Sequence, residues 1–190
     1  METYLPITYL NDFVFCPYSI YLHQVFDNNT EEVYSAIPQQ RGKAAHSEID
    51  SFEKERTVRP KSLKGIYVIS NRLRVYGKID TYFIQEKKLV ESKFHIKTIY
   101  RGYYYQIWSH YFGLMEMGYP VQELAFYSIK DQKNYPIPIP SLHDIRELQE
   151  HIRAIAHFDF DAPLTVNPQK CSHCIYAALC DKTGGDHVYA

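Results

Sequence analysis

The sequence predicts an α/β chain, a mixed sheet with helices packed on it. Alternating apolar stretches rich in Ile, Val, Tyr and Phe fall at 66–70, 73–84, 89–95 and 121–129. Apolar residues at helical spacing fall near the N-terminus, at about 40–56, at 99–118 and from 141 to about 157. The resulting order is helix, helix, strands, helix, strand, helix, which a helix-covered sheet accommodates.

Thr8 is a helix N-cap candidate, followed by Leu10, Phe13 and Val14, with Ile20 and Tyr21 beyond. Pro17 interrupts that pattern directly after Cys16. Asp27-Asn28-Asn29-Thr30 reads as a loop, and Ala44, Ala45, Ile49 and Phe52 give the helix from Gln40 to Arg56 its buried stripe. The strands at 66–70 and 73–84 flank a turn at Ser70-Asn71. Gly118 and Pro120 punctuate the end of the long helix from Ile99. Asn134 to Ile139 reads as a short edge strand, because its prolines forbid a central place. Ser141 with Asp144 three residues on opens a capping-box helix.

With 190 residues the chain is long enough for one well-buried core and short for two, so 1–190 is read as a single domain. A formal charge of −1 excludes nucleic-acid binding through bulk charge and demands a local basic track instead. No apolar run reaches bilayer length, and the N-terminal stretch lacks a basic start and carries Asp12, unlike a signal peptide. A cytoplasmic location is the default expectation, and there clustered cysteines favour metal ligation over disulfides.

Two constellations carry chemistry. In the first, a two-residue hairpin loop at Glu86-Lys87 would set Asp80 opposite Lys93, with Glu91 diagonal on the same face. Two carboxylates that close repel unless a cation lies between them, and Mg²⁺ or Mn²⁺ suits oxygen ligands. The lysine then orients or deprotonates a water and stabilises charge developing on a phosphate. A solvated hairpin face with a cross-strand Asp–Lys pair is the plainer interpretation of the same pattern. His46, on the 40–56 helix, is a candidate third ligand.

In the second, Cys171, Cys174 and Cys180 fall within ten residues, and Cys16 lies far upstream. Four thiolates so placed suit a metal site that joins the chain ends. Zinc and a [4Fe–4S] cluster both accept four thiolates, the spacing does not separate them, and His173 offers zinc a further ligand.

His46 in Gly-x-x-x-His, Gly77-Lys78-Ile79-Asp80, Glu91-x-Lys93 and Gln106 together resemble the RecB-like branch of the PD-(D/E)xK (restriction-endonuclease-like) nuclease superfamily. The resemblance implies a mixed central sheet flanked by helices and one or two Mg²⁺ or Mn²⁺ ions on His46, Asp80, Glu91 and the Ser92 carbonyl. It makes Lys93 the catalytic lysine, with Glu91, Asp80 and Gln106 beside it. Gln106 matches the glutamine of a Q-x-x-x-Y motif, but His110 stands at the tyrosine position, with Tyr111 next.

With Cys16-Pro17 before this centre and three cysteines after it, the chain resembles the CRISPR-associated Cas-four nucleases from Cys16 to Cys180. Tyr18 stands where many members carry a basic residue. The resemblance implies a [4Fe–4S] cluster on Cys16, Cys171, Cys174 and Cys180. It implies cleavage of single-stranded DNA, or of DNA with single-stranded overhangs, during prespacer processing with the integrase and its small partner (Cas-one and Cas-two). Helicase–nucleases carrying an iron–sulfur cluster share the chemistry, but no P-loop is present.

For holding DNA, the run Lys87, Lys88, Lys93, Lys97 and Arg101 precedes Tyr103-Tyr104-Tyr105, and Lys97, Arg101 and Tyr104 are the contact candidates. The rival expectations are a non-catalytic DNA- or partner-binding module stapled by its metal cluster, and a redox centre, which needs no carboxylate–lysine set.

Overall fold

The computed structural model describes residues 3–26 and 61–183. In chain order its elements are β1 (Leu5–Pro6), α1 (Thr8–Phe15), α2 (Tyr18–Phe26), β2 (Ser62–Lys64), β3 (Tyr67–Ser70), β4 (Val75–Lys78), β5 (Thr81–Phe83) and β6 (Lys88–Lys93). There follow α3 (Arg101–Glu116), β7 (Glu123–Ser128), β8 (Lys133–Ile137), α4 (Leu142–Ala156) and a short α5 (Pro168–Cys171). The helix expected at 40–56 and the loop at 27–30 lie outside the described residues.

The fold is mixed α/β, as its patterning predicts, with two sheets flanked by helices. One sheet has the order β1-β4-β3 and the other β2-β5-β6-β7-β8. β6 and β7 pair in parallel, a geometry that requires a crossover, and α3 supplies it. β8 is an edge strand containing Pro136, in accord with the proline argument. The capping box forms as expected, with Ser141 Oγ accepting from the Asp144 amide at 3.3 Å and Asp144 Oδ2 accepting from the Ser141 amide at 3.0 Å. Among the described residues no helix is long and apolar enough to cross a membrane.

The strand expected over 73–84 is in fact two, in different sheets. β2–β3 and β4–β5 form one antiparallel ribbon, with Lys64 opposite Thr81 and Tyr67 opposite Lys78. It bends between the sheets where Gly65 adopts φ 62° and Ile79 donates to the Ile66 carbonyl at 3.0 Å. A positive φ costs glycine little, so the bend forms there. Asp80 sits at this bend.

The β5–β6 register also differs from expectation. Thr81 pairs with Val90 and Phe83 with Lys88, so the register carried one step further sets Asp80 opposite Glu91 rather than Lys93. The connection spans Ile84 to Lys87, with Lys87 at φ 51°, not two residues. A slip of two leaves every side chain on its intended face, so the acidic residues still share a side.

Helix α3 is buried around most of its circumference, including Ile107, Trp108, Phe112 and Leu114, because it lies between α1 and the inner face of β3 and β4. Trp108 Nε1 donates to the Pro138 carbonyl at 3.2 Å. A Cβ on Gly113 would lie 2.8 Å from Val68 Cβ, closer than packed atoms tolerate. Gly113→Ala is expected to cost about 1–3 kcal/mol, read as a lowered midpoint in thermal unfolding; an unchanged midpoint would show that helix and sheet are not in tight contact.

Candidate active site and cysteine centre

Side chains alternate along β6, so Glu91 and Lys93 share one face. Gln106 and His110 are one turn apart on α3 and face that side. Lys93 Nζ donates to Glu91 Oε1 and to Gln106 Oε1, each at 3.0 Å. It also lies 4.9 Å from the centre of the Tyr103 ring. Glu91, Ser92, Gln106 and His110 are all buried. A Cβ on Gly77 would lie 3.1 Å from His110 Nε2, so β4 closes directly over the histidine.

Burial pushes the Glu91 carboxyl up, but Lys93 and His110 outweigh it and hold it well below the usual carboxylate range. Burial likewise pulls Lys93 down, and the charge and hydrogen bond of Glu91, with Asp80 behind, more than restore it. The pair therefore exists as carboxylate and ammonium.

Asp80, at the ribbon bend, accepts from the Ser92 amide through Oδ2 at 2.6 Å. Glu91 Oε2 and His110 Nδ1 approach to 3.2 Å, yet their alignment does not make a hydrogen bond, and neither buried atom has such a partner among the described residues. A buried carboxylate oxygen left unbonded is costly. Asp80 and Glu91 offer carboxylate oxygens of the kind a hard divalent cation takes. His46 lies outside the described residues.

Two neighbours of this centre were not picked out from the sequence. His110 breaks the glutamine–tyrosine spacing, but its place one turn after Gln106 was the signal that it faces the same group. Asp12 on α1 is the other. Burial pushes its carboxyl up to about 6, against the opposing pull of His23 and Lys93, and its carbonyl accepts from the Cys16 amide at 2.8 Å.

The expected DNA contacts separate. Lys97 is exposed. Arg101 instead pairs with Asp144 at 3.2 Å and with Glu147, and lies 5.0 Å from the Trp108 ring. Tyr104 packs on Trp108 and Phe126 at 5.4 and 6.0 Å. These two side chains fasten α3 to its neighbours, since a guanidinium satisfies carboxylates and aromatic faces together. Lys88, in the same basic run, pairs with Glu123 at 3.6 Å.

The cysteines converge from both ends of the chain. Pro17 ends α1 and leaves Cys16 extended at the corner before α2. Cys171 ends α5, whose start is capped by Asn167. Cys174 follows, and Cys180 comes after a 3₁₀ turn at Ala177–Leu179. All four are free thiols lining one cavity of about 140 Å³ with Pro17, Tyr18 and Leu22. Burial first, and then the neighbouring cysteines, push the Cys174 thiol up; burial, then Asp181 and the neighbouring cysteines, push the Cys180 thiol up. Four facing sulfurs become thiolates readily only around a cation, so the set fits a metal centre. His173 is exposed and bonded near Gln169 and Ser172; it does not line the cavity. Lys170 Nζ donates to the Val14 carbonyl at 2.9 Å, and His23 Nδ1 lies 3.0 Å from Tyr176 Oη. These contacts tie the terminal segments together.

A carboxyl raised above its ordinary 3.8 loses folding stability as pH climbs through that value toward the folded one, because only the unfolded form ionises freely. Asp12→Asn is therefore expected to exceed wild-type stability at about pH 7.5 and to lose most of that advantage at about pH 4.5, measured by urea denaturation. Equal gains at both pH values would mean that Asp12 is not held in a poorly solvated place.

No protein-family model matches the chain, and no curated protein does. Among solved structures, the chain is similar to the crystal structure of SSO0001, with a TM-score of 0.63 and 14% identity over 96% of this chain and 88% of that one. At that identity the likeness establishes a shared fold.

Proposed function

We propose that the chain is a Mg²⁺- or Mn²⁺-dependent deoxyribonuclease with the RecB-like PD-(D/E)xK architecture. Its substrate in this reading is single-stranded DNA or a single-stranded overhang, hydrolysed at the phosphodiester. The observation that carries it is the group Glu91–Lys93–Gln106, in which Glu91 and Gln106 are buried and Lys93 half-buried, with His110 alongside and Asp80 bonded to the Ser92 amide. A binding module has no need of a buried carboxylate held against a lysine, which is expensive to maintain.

Asp80, Glu91, the Ser92 carbonyl and His46 would hold the divalent ion. When bound, that ion supplies a Lewis acid and an activated water. The ammonium of Lys93 has three donors; Glu91 and Gln106 engage two, leaving one for a phosphate oxygen on which negative charge develops. Gln106 sets the direction of that ammonium. His110 lies 3.2 Å from the other oxygen of Glu91.

Cys16, Cys171, Cys174 and Cys180 would hold a [4Fe–4S] cluster, serving as a staple between the chain ends. Zinc and the cluster both accept four thiolates, and the cluster is the choice that accords with the Cas-four resemblance. The combination of centres supports a Cas-four nuclease, a single 1–190 domain acting in the cytoplasm on prespacers with Cas-one and Cas-two.

Lys93→Ala, purified without oxygen, is expected to keep the broad visible absorption of the wild type and to lose at least about a hundredfold in Mn²⁺-dependent cleavage of single-stranded DNA. Undiminished cleavage by this variant would reject the site.

A further inference from the structure

Tyr103 meets the candidate active site through its ring rather than through a hydrogen bond. Tyr103, Gln106 and His110 stand at i, i+3 and i+7 on α3, which sets them in line along one side of the helix. Lys93 Nζ lies over the Tyr103 ring, 4.9 Å from its centre. That ring is itself held on two sides. Tyr100 meets it edge-on at 5.7 Å, and Phe126 meets it at 6.0 Å. Phe126 is fully buried on β7, opposite Glu91. The ring therefore cannot turn away from the ammonium without repacking these neighbours.

A lysine head is a point charge on a flexible four-carbon stem, so it needs more than one restraint to hold a direction. Glu91 and Gln106 fix two of its three N–H groups. A polar acceptor on the remaining side would take the third. An aromatic face attracts the charge through its quadrupole instead, and a centre 4.9 Å away does so without a directed hydrogen bond. The attraction is strengthened because the Lys93 side chain is only 20% exposed. The ammonium is thereby confined while one N–H stays available.

We propose that Tyr103 is a positioning residue for Lys93. Its ring holds the ammonium against Glu91 and Gln106, with the third N–H turned toward the substrate phosphate. The contact between ring and ammonium stands on its own; its consequence for cleavage rests on the nuclease reading.

Two measurements test the proposal, and one of them is independent of cleavage. In protein with isotope-labelled lysine, the Lys93 Cε protons are identified by their absence from Lys93→Ala. The ring current should shift them upfield of the other lysines. Tyr103→Phe is expected to keep that shift and Tyr103→Leu to lose it. In Mn²⁺-dependent cleavage of single-stranded DNA, Tyr103→Leu should lower kcat about tenfold with little change in KM, and Tyr103→Phe, which keeps the ring, should restore it. Phenylalanines bearing one, two and three ring fluorines at position 103 retain the shape of the ring, and so the packing, while draining its quadrupole; kcat should fall stepwise along that series. Circular dichroism verifies that each variant is folded. A Lys93 signal indifferent to Tyr103→Leu, or equal kcat across the fluorinated series, overturns the positioning role and leaves the nuclease reading intact. A raised KM with unchanged kcat makes the ring a DNA contact and likewise overturns it. An upfield shift lost in Tyr103→Leu, in a protein whose wild type cuts nothing, retains the contact and removes the nuclease reading, and the catalytic role of Tyr103 with it.

Discussion

A carboxylate buried beneath a helix must have a cation beside it, and that requirement organises this protein. Glu91 is ionised because the half-buried Lys93, 3.0 Å away, and His110 flank it. Removing Lys93 would leave an uncompensated carboxylate in the interior, which is far more costly than never having buried it. The surroundings of the pair follow from this. β6 must bring both residues to one face, α3 must return across that face with Gln106 and His110 one turn apart, and Gly77 must be small enough for β4 to close over the histidine.

The bent ribbon supplies the remaining carboxylate. Had β4 and β5 continued as one flat strand, Asp80 would have been an ordinary sheet residue. The bend at Gly65 and Ile79 instead places it at the junction of the two sheets, where it bonds the Ser92 backbone. The same bend leaves the far face of the smaller sheet pointing outward, with its aromatics uncovered.

Much of the arrangement was legible in the residues, and what was missed has physical reasons. Alternation along 89–95 put Glu91 and Lys93 on one side irrespective of register, so the two-residue error in the hairpin left that pairing intact. Pro17, the Ser141–Asp144 box and Pro136 in β8 act locally, and each did what its chemistry dictates. The sheet switch was hidden because it depends on a glycine fifteen residues before Asp80, outside any window of alternation. Arg101 looked like a phosphate contact because Asp144 and Glu147, which take its charge, are more than 40 residues away. Alternation placed Tyr67 and Ile69 on one side of β3, but only the burial pattern shows which side is core and which is face.

Divalent-ion binding tests the central claim most directly. Calorimetric titration of Mn²⁺ into wild-type protein and into Glu91→Gln, an isosteric change that removes only the charge, should give saturable binding for the first and at least about tenfold weaker binding for the second. Equal affinity in the two would mean that the buried carboxylate holds no metal, and that the pair with Lys93 serves the fold alone.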